Sequence, residues 1–135
     1  MNEIEIIQKV INVIGDIEDA KVISAHDYTE EREANMIVVG IGQVEQLNAN
    51  LPDYKYGLNI TIDCFIEDDK AGDIFNDILN NVREKINNYV NKGADLDTAF
   101  EGIPIVGWIN MNIETSISSE SNRAIITSDL IASYN

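Results

Sequence analysis

The sequence contains very few of the residues that form cross-links and transition-metal sites. Its 135 residues include one cysteine, Cys64, and one histidine, His26. A single cysteine excludes an internal disulfide framework, and one cysteine with one histidine cannot supply the usual ligand set of zinc. Cys64 lies two residues from Ile62 and from Ile66, in an alternating pattern of apolar residues, so we expect its small side chain to be buried. A chain without disulfides is typical of a reducing compartment.

Basic residues are scarce as well. Nine Lys and Arg stand against 24 Asp and Glu, which gives a net charge of −15. A surface of this sign repels DNA and anionic membranes, so we expect no specific nucleic-acid binding and no membrane partner. The acids occur in small groups, such as residues 30–33 and 67–69. This distribution is typical of a solvated surface, and the alternative is a negative surface that faces passing DNA or a basic partner.

Long hydrophobic runs are absent. No stretch reaches the roughly 18 apolar residues that a membrane span needs. Residues 1–14 are interrupted by Glu3, Glu5 and Lys9, and they lack the basic start and the cleavage site of a signal peptide. We therefore expect a soluble chain without a targeting segment.

Apolar residues make up 44% of the chain, which is ordinary globular composition. The length suits one domain with one core, and no repeat, low-complexity stretch or linker divides the sequence. We predict a single α+β domain over residues 1–135.

The most regular pattern is the alternation of apolar and polar residues between Tyr54 and Ile66. It predicts a long antiparallel strand with one buried face and one wet face. The residues predicted to lie on the buried face are Tyr54, Tyr56, Leu58, Ile60, Ile62, Cys64 and Ile66.

Two segments show helical spacing. From Glu3 to Ile14 the apolar residues cover about half of the helical wheel, which is wider than packing on one sheet requires. Part of this stripe is therefore expected to contact a second subunit. A second amphipathic helix is predicted from Ala71 to Val90, and Gly15 and Gly93 follow the two helices at positions suited to their ends.

Shorter β-branched runs, Ala20–Ala25 and Met36–Ile41, are predicted to form a hairpin with a polar tip. Glycines, asparagines and a proline between residues 42 and 53 predict an exposed loop. Two closing strands, Ile103–Ile117 and Asn122–Tyr134, are predicted to form a second hairpin. The expected fold is α+β, a mainly antiparallel sheet of about four to five strands with two amphipathic helices packed on one face.

No residue pattern predicts catalysis, a metal site or a cofactor. His26 and Asp27 are adjacent, so in an extended chain they point in opposite directions, and a loop histidine without catalytic duty is the simpler interpretation. The acids within residues 63–69 lack the spacing of an EF-hand, and capping explains them better. Gly40 and Gly42 are not followed by the third glycine of a phosphate-binding loop. We therefore predict a protein that is not an enzyme and has no catalytic residues, no cofactor and no bound metal.

Strand parity predicts that Phe65, Val106 and Trp108 face outward from the sheet, unless a bulge near Gly107 resets the register. A contiguous exposed patch that contains tryptophan usually marks a protein contact. The alternative is that a loop of the same chain, near residues 47–54, covers this patch. The predicted interface residues are Phe65, Val106, Trp108, Arg32 and Leu51.

Four stretches carry a likeness to a known family: the opening helix Glu3–Ile14, Met36-Ile-Val-Val-Gly40, Tyr54-Lys-Tyr-Gly-Leu-Asn-Ile-Thr-Ile-Asp63 and Arg123-Ala-Ile-Ile-Thr-Ser-Asp-Leu130. Their order and hydropathy resemble those of the tail terminator proteins of long-tailed bacteriophages, which are tail-completion or neck proteins. The resemblance covers nearly the whole chain.

The resemblance implies a structural virion protein of the tail–neck region, made in the cytoplasm of the bacterial host. Such a protein forms a hexameric ring on the end of the tube built from the tail tube protein and presents a surface to the head–tail connector protein. A negative lumen would keep DNA from adhering to the ring. The alternative from another class is an acidic inhibitor that mimics DNA and occupies the basic groove of a nucleic-acid-binding protein.

Overall fold

A computed structural model describes residues 3–28, 35–65, 72–90, 95–118 and 121–134. The predicted helix start at Ala71, the glycine at Gly93 and the acids of residues 67–69 lie outside these ranges. The elements in chain order are helix α1 (Glu3–Ile14), strand β1 (Lys21–Ser24), a short 3-10 helix (Ala25–Asp27), strand β2 (Met36–Asn48), strand β3 (Leu51–Phe65), helix α2 (Asp73–Val90), helix α3 (Leu96–Ala99), strand β4 (Ile105–Ile117) and strand β5 (Ser121–Ser133).

The five strands form one sheet in the order β1-β2-β3-β5-β4. The predicted α+β fold is confirmed, with helices α1 and α2 as expected and α3 as a short addition. The predicted hairpin between the first two strands is wrong, because β1 and β2 are parallel and Lys21 pairs with Met36. Parallel strands need a crossover connection rather than a tight hairpin turn, and residues 29–34 of this connection lie outside the described ranges.

One hydrophobic cluster fills the space between the helices and one face of the sheet. On β3 the predicted alternation is confirmed, since Tyr56, Leu58, Ile60, Ile62 and Cys64 are all buried there. The helices contribute Ile6, Val10 and Ile14 from α1 and Phe75, Ile78, Val82 and Ile86 from α2. Burying each large aliphatic side chain contributes on the order of 1.5–3 kcal/mol, so this layer dominates the stability of the fold.

Both helices lie on the same side of the sheet, because α1 contacts α2 as well as β2, and α2 also contacts β3 and β4. We call the opposite side of the sheet the open face. On β3 the open face carries Lys55, Asn59, Thr61 and Asp63, which alternate with the buried residues.

The segment predicted as an exposed loop, residues 42–53, is instead the end of a β-hairpin. Strand β2 continues to Asn48 and pairs with β3 down to Leu51, with irregular register near Gly42 and Leu47. The turn is held by Gln46, whose Nε2 donates to the carbonyl oxygens of Asn48 and Leu51 at 3.0 and 3.3 Å. Glycine and asparagine in this segment therefore mark bulges and a tight turn rather than a loop.

Helix α1 ends as predicted at Gly15, which has a φ of +67° and donates its backbone N–H to the Ile11 carbonyl at 2.9 Å. Most of the apolar stripe of α1 packs into the core, and Ile4 is the member that stays exposed. The width of the stripe thus reflects contact with α2 as well as with the sheet.

Candidate assembly surface

Trp108 is part of the core, and the prediction that it faces outward is wrong. Its side chain is only 2% exposed, and its indole Nε1 donates to Ser128 Oγ at 2.8 Å. The indole stacks on Tyr89 with ring centroids 6.1 Å apart and meets Phe100 edge-on at 5.7 Å. Trp108 therefore joins α2, the end of α3 and the β4–β5 pair from inside the fold.

A β-bulge explains why the parity of β4 differs from the simple alternation. The register of β4 with β5 shifts between Ile105 and Gly107. Val106 therefore has no partner on β5, and Trp108 moves to the helix-covered face. Val106 is 64% exposed, as predicted. A second shift between Ile109 and Asn112, where Asn110 has a φ of +60°, returns the strand to its first parity.

Phe65 and Val106 do not form one patch. Tyr54 lies level with Ala132 and Ile105 across the sheet, whereas Phe65 pairs with Ser121 at the other end of β3. The interval from residue 54 to residue 65 spans about 35 Å at roughly 3.3 Å per residue. The fourth predicted interface residue, Arg32, lies outside the described residues.

Leu51, the fifth predicted interface residue, lies at the tip of the β2–β3 hairpin. We call residues 43–51 the arm. Val44, Leu47 and Leu51 of the arm are between 42% and 47% exposed, although they are large and apolar. The turn hydrogen bonds of Gln46 fix the arm before any partner arrives, which lowers the entropy cost of binding.

The arm also leaves one edge of the sheet open. Strand β1 pairs with β2 only from Met36 to Val39, and no described strand pairs with the outer edge of β2 beyond that point. Unpaired backbone N–H and C=O groups on such an edge can accept a further strand.

The opposite edge of the sheet is β4, and no described strand pairs with its outer side either. The second half of the strand, Asn112–Ile117, has regular register with β5. It ends at Ile117, whose side chain is 68% exposed. Proline and lysine, which commonly protect edge strands, are absent from this half of β4.

Two ion pairs lie on the open face. Lys55 Nζ lies 3.2 Å from Glu45 Oε2, and Arg123 donates to Asp63 Oδ2 at 3.1 Å. The register also places Asp53, Glu114 and Asp129 on this face, where Asn110 Nδ2 donates to Asp129 Oδ2 at 3.1 Å. The open face is therefore only partly neutralised in a chain whose net charge is −15.

Two groups of acids lie on the connections beside the helices. One group is Asp16, Glu18 and Asp19 between α1 and β1, and the other is Asp95, Asp97 and Glu101 between α2 and β4. Asp95 caps α3, since its Oδ1 accepts from the backbone N–H groups of Asp97 and Thr98 and its Oδ2 accepts from Thr98 Oγ1. These bonds to Thr98 and then Asp97 lower the pKa of the Asp95 carboxyl.

The open face also has a shallow cavity of about 260 Å³ near the start of β2. Tyr28 forms one wall, and Met36, Val38 and Ile125 supply apolar contacts beside the Asp63–Arg123 ion pair. His26 is exposed nearby in the 3-10 helix, and its backbone N–H rather than its ring bonds to Ser24 Oγ. No sequence pattern predicted this cavity, because the position of Tyr28 beside the sheet depends on the parallel pairing of β1 with β2.

Among the described residues, no group of three or more His, Cys, Asp and Glu side chains is arranged to hold a metal ion. Within the same ranges no helix combines the length and the apolar character needed to cross a membrane. Cys64 is buried and forms no disulfide.

The candidate site is therefore a surface rather than a pocket. It combines an apolar arm with two strand edges that no described strand covers. Comparison of the chain with protein-family models finds no match, and comparison with curated proteins finds no similar sequence.

Proposed function

We propose that this chain is a structural protein that assembles into a ring at the end of a phage tail. In this role it caps the tail tube, stops its growth and joins it to the head–tail connector within the virion. The observation that supports the proposal most strongly is the pair of uncovered strand edges with exposed apolar side chains, Val44 and Leu47 on one edge and Ile117 on the other.

Natural proteins usually protect their sheet edges, because an open edge pairs with any available strand. This chain has open edges on the two lateral sides of one sheet, so each copy offers a different surface to each neighbour. Contacts between two different surfaces are heterologous, and they generate a closed ring when the rotation between copies closes. A hexamer is the stoichiometry that the resemblance to tail terminators implies.

The charge distribution supports self-association through the sheet rather than through the helices. On the open face Glu45 is paired with Lys55 and Asp63 with Arg123, whereas two groups of three acids lie on the connections of the helix side. Copies that each carry −15 approach one another most easily where the local charge is lowest.

Negative-stain electron microscopy of the purified full-length protein, alone and with tail tubes, tests the proposal. We expect annular particles, or caps at one end of the tubes. A matched control is the Leu47→Ser/Leu51→Ser variant, which removes apolar contact area from the arm without touching the core. Uniform single copies of the wild-type protein, and tubes without caps, would contradict the proposed function.

The DNA-mimic alternative requires a continuous acidic face on one side of the molecule. The acid groups on the connections flank opposite ends of the sheet, since residues 16–19 precede β1 near Met36 and residues 95–101 precede β4 near Tyr54. The helices on the same side carry further exposed acids, Glu3, Glu5, Asp73, Asp77 and Glu84. The same micrographs distinguish the two functions, because a mimic has no reason to form annular particles.

A further inference from the structure

We propose that neighbouring copies join by pairing the second half of β4 in one copy with the arm strand β2 in the next. This inference rests on the proposed ring and names its subunit contact. The segments are Asn112–Ile117 of β4 and Gln43–Gln46 of β2, both in regular register with their partners inside the chain. The occupant of each open edge is thus a second copy of this chain.

The direction of the pairing follows from the topology. Within one copy β2, β3, β5 and β4 are successive antiparallel neighbours, so β2 and β4 run in opposite directions. Copies in a ring share one orientation relative to its axis. Strand β4 of one copy therefore meets β2 of the next copy antiparallel, and the sheet continues across the contact.

The two sheet faces restrict the register to a few possibilities. Val44 lies opposite Tyr56, on the helix-covered face, and Ile117 lies opposite Asn122, on the same face. A one-residue slip would put every side chain on the wrong face. Val44 must therefore stand opposite Ile117, Thr115 or Ile113.

Charge and apolar contact select one of these registers. With Val44 opposite Thr115, Glu45 of one copy would face Glu114 of the next, and like charges directly opposite are unfavourable. With Val44 opposite Ile113, the pairing would run into the irregular stretch between Ile109 and Asn112. With Val44 opposite Ile117, two exposed apolar side chains cover each other and Glu45 faces Ser116. The structure assigns this last register.

Electrostatics favour these two segments as the place where copies meet. Each segment contains one acid, Glu45 on the arm and Glu114 on β4, and Glu45 already has Lys55 as a partner at 3.2 Å. Contacts through the connections beside the helices would instead bring groups of three acids together.

Oxidative cross-linking of the double variant Val44→Cys/Ile117→Cys tests the register. Directly opposite side chains have Cβ atoms about 4.5–5.5 Å apart, close enough for a disulfide after small shifts. Both sites are exposed, so the variant should fold, and urea denaturation checks that it does. We expect a ladder of covalent oligomers on a non-reducing gel that collapses to one band on reduction. The native Cys64 is buried, and the wild-type protein serves as the blank.

The matched control is Glu45→Cys/Ile117→Cys, which has the same number of new thiols on opposite faces of the sheet and should yield little ladder. Equal ladders from the two variants would overturn the register. A covalent dimer from the single variant Ile117→Cys would overturn the proposal in favour of β4 pairing with β4. Annular particles that form no cross-link would overturn the proposed contact but support the proposed ring. Single copies under all conditions would overturn both the contact and the ring.

Discussion

Trp108 shows how one residue can hold several elements together. Its indole contacts Tyr89 of α2 and Phe100 after α3, and its N–H is satisfied by Ser128 of β5. A buried indole N–H without a partner would be costly, so Ser128 makes burial of this side chain possible. The residue therefore stabilises the fold and is not available to a partner protein.

Replacing Trp108 by alanine should destabilise the protein by about 3–5 kcal/mol, because the change leaves a cavity and an unpaired Ser128 hydroxyl. Urea denaturation measures this loss. The control is Val106→Ala, on the exposed bulge next to it, which should change the free energy of unfolding by less than about 0.5 kcal/mol. A folded Trp108→Ala protein of normal stability that fails to assemble would show that the indole serves a contact instead.

Tyr56 provides a prediction about alkaline pH. Burial, together with the hydrogen bond between its hydroxyl and that of Tyr134 at 3.2 Å, raises the pKa of Tyr56 above its ordinary value near 10. The unfolded chain then loses the Tyr56 proton at lower pH than the folded chain does. Stability from this group is complete below about pH 10 and declines above it, by up to about 1.4 kcal/mol per pH unit.

The Tyr56→Phe variant isolates this effect. Urea denaturation between about pH 9 and pH 11 should show a shallower alkaline loss of stability for the variant than for the wild-type protein. Parallel declines in the two proteins would mean that Tyr56 does not carry the pH dependence.

At the scale of elements, the sequence predicted what local periodicity determines. The alternation of β3 and the apolar spacing of α1 and α2 each depend on residues within one element, and all three are present. The direction of β1 depends on which strand lies alongside and has no signal within a few residues, whereas Gly107 indicated where a bulge could reset the register of β4. The arm was missed because glycine and asparagine are typical of loops as well as of bulged hairpins.

The candidate surface was predicted less well than the fold. Leu51 and Val106 are exposed as expected, but a single bulge moved Trp108 to the core. Phe65 lies at the far end of the sheet because strand pairing, not sequence distance, sets which residues become neighbours. Ile117 lies on the helix-covered face and is nevertheless exposed at the end of β4.

Helix α1 ends at Gly15, whose positive φ should make a substitution there destabilising. Gly15→Ala should cost about 1–2 kcal/mol, because a Cβ is strained at a φ of +67°. The matched control is Gly57→Ala in β3, where the added Cβ would lie 3.5 Å from its nearest neighbour, an ordinary contact. Urea denaturation of both variants makes the comparison, and equal stabilities would contradict the role of Gly15 as the helix stop.

At the scale of the whole molecule, net charge and assembly oppose each other. Each copy adds −15, and this repulsion acts over a Debye length of about 10 Å at 0.1 M salt. The apolar side chains at the strand edges reduce the repulsion at the contact itself, but the distant acids still repel one another.

Self-association should therefore strengthen as salt is added, or should require the end of the tail tube as a template. Light scattering of the free protein across a salt series measures this. Association that falls as salt rises would point to contacts made by ion pairs between copies, against the apolar and backbone contact proposed above.

The most direct test of self-assembly through the sheet edges is the sedimentation of the full-length protein at high salt, with and without tail tubes. The account predicts one closed oligomer for the wild-type protein, or co-sedimentation with the tubes, and single copies for a Val44→Ser/Ile117→Ser variant, which lacks the apolar pair of the proposed contact. A wild-type protein that sediments as a single copy under every condition, tubes included, would contradict it.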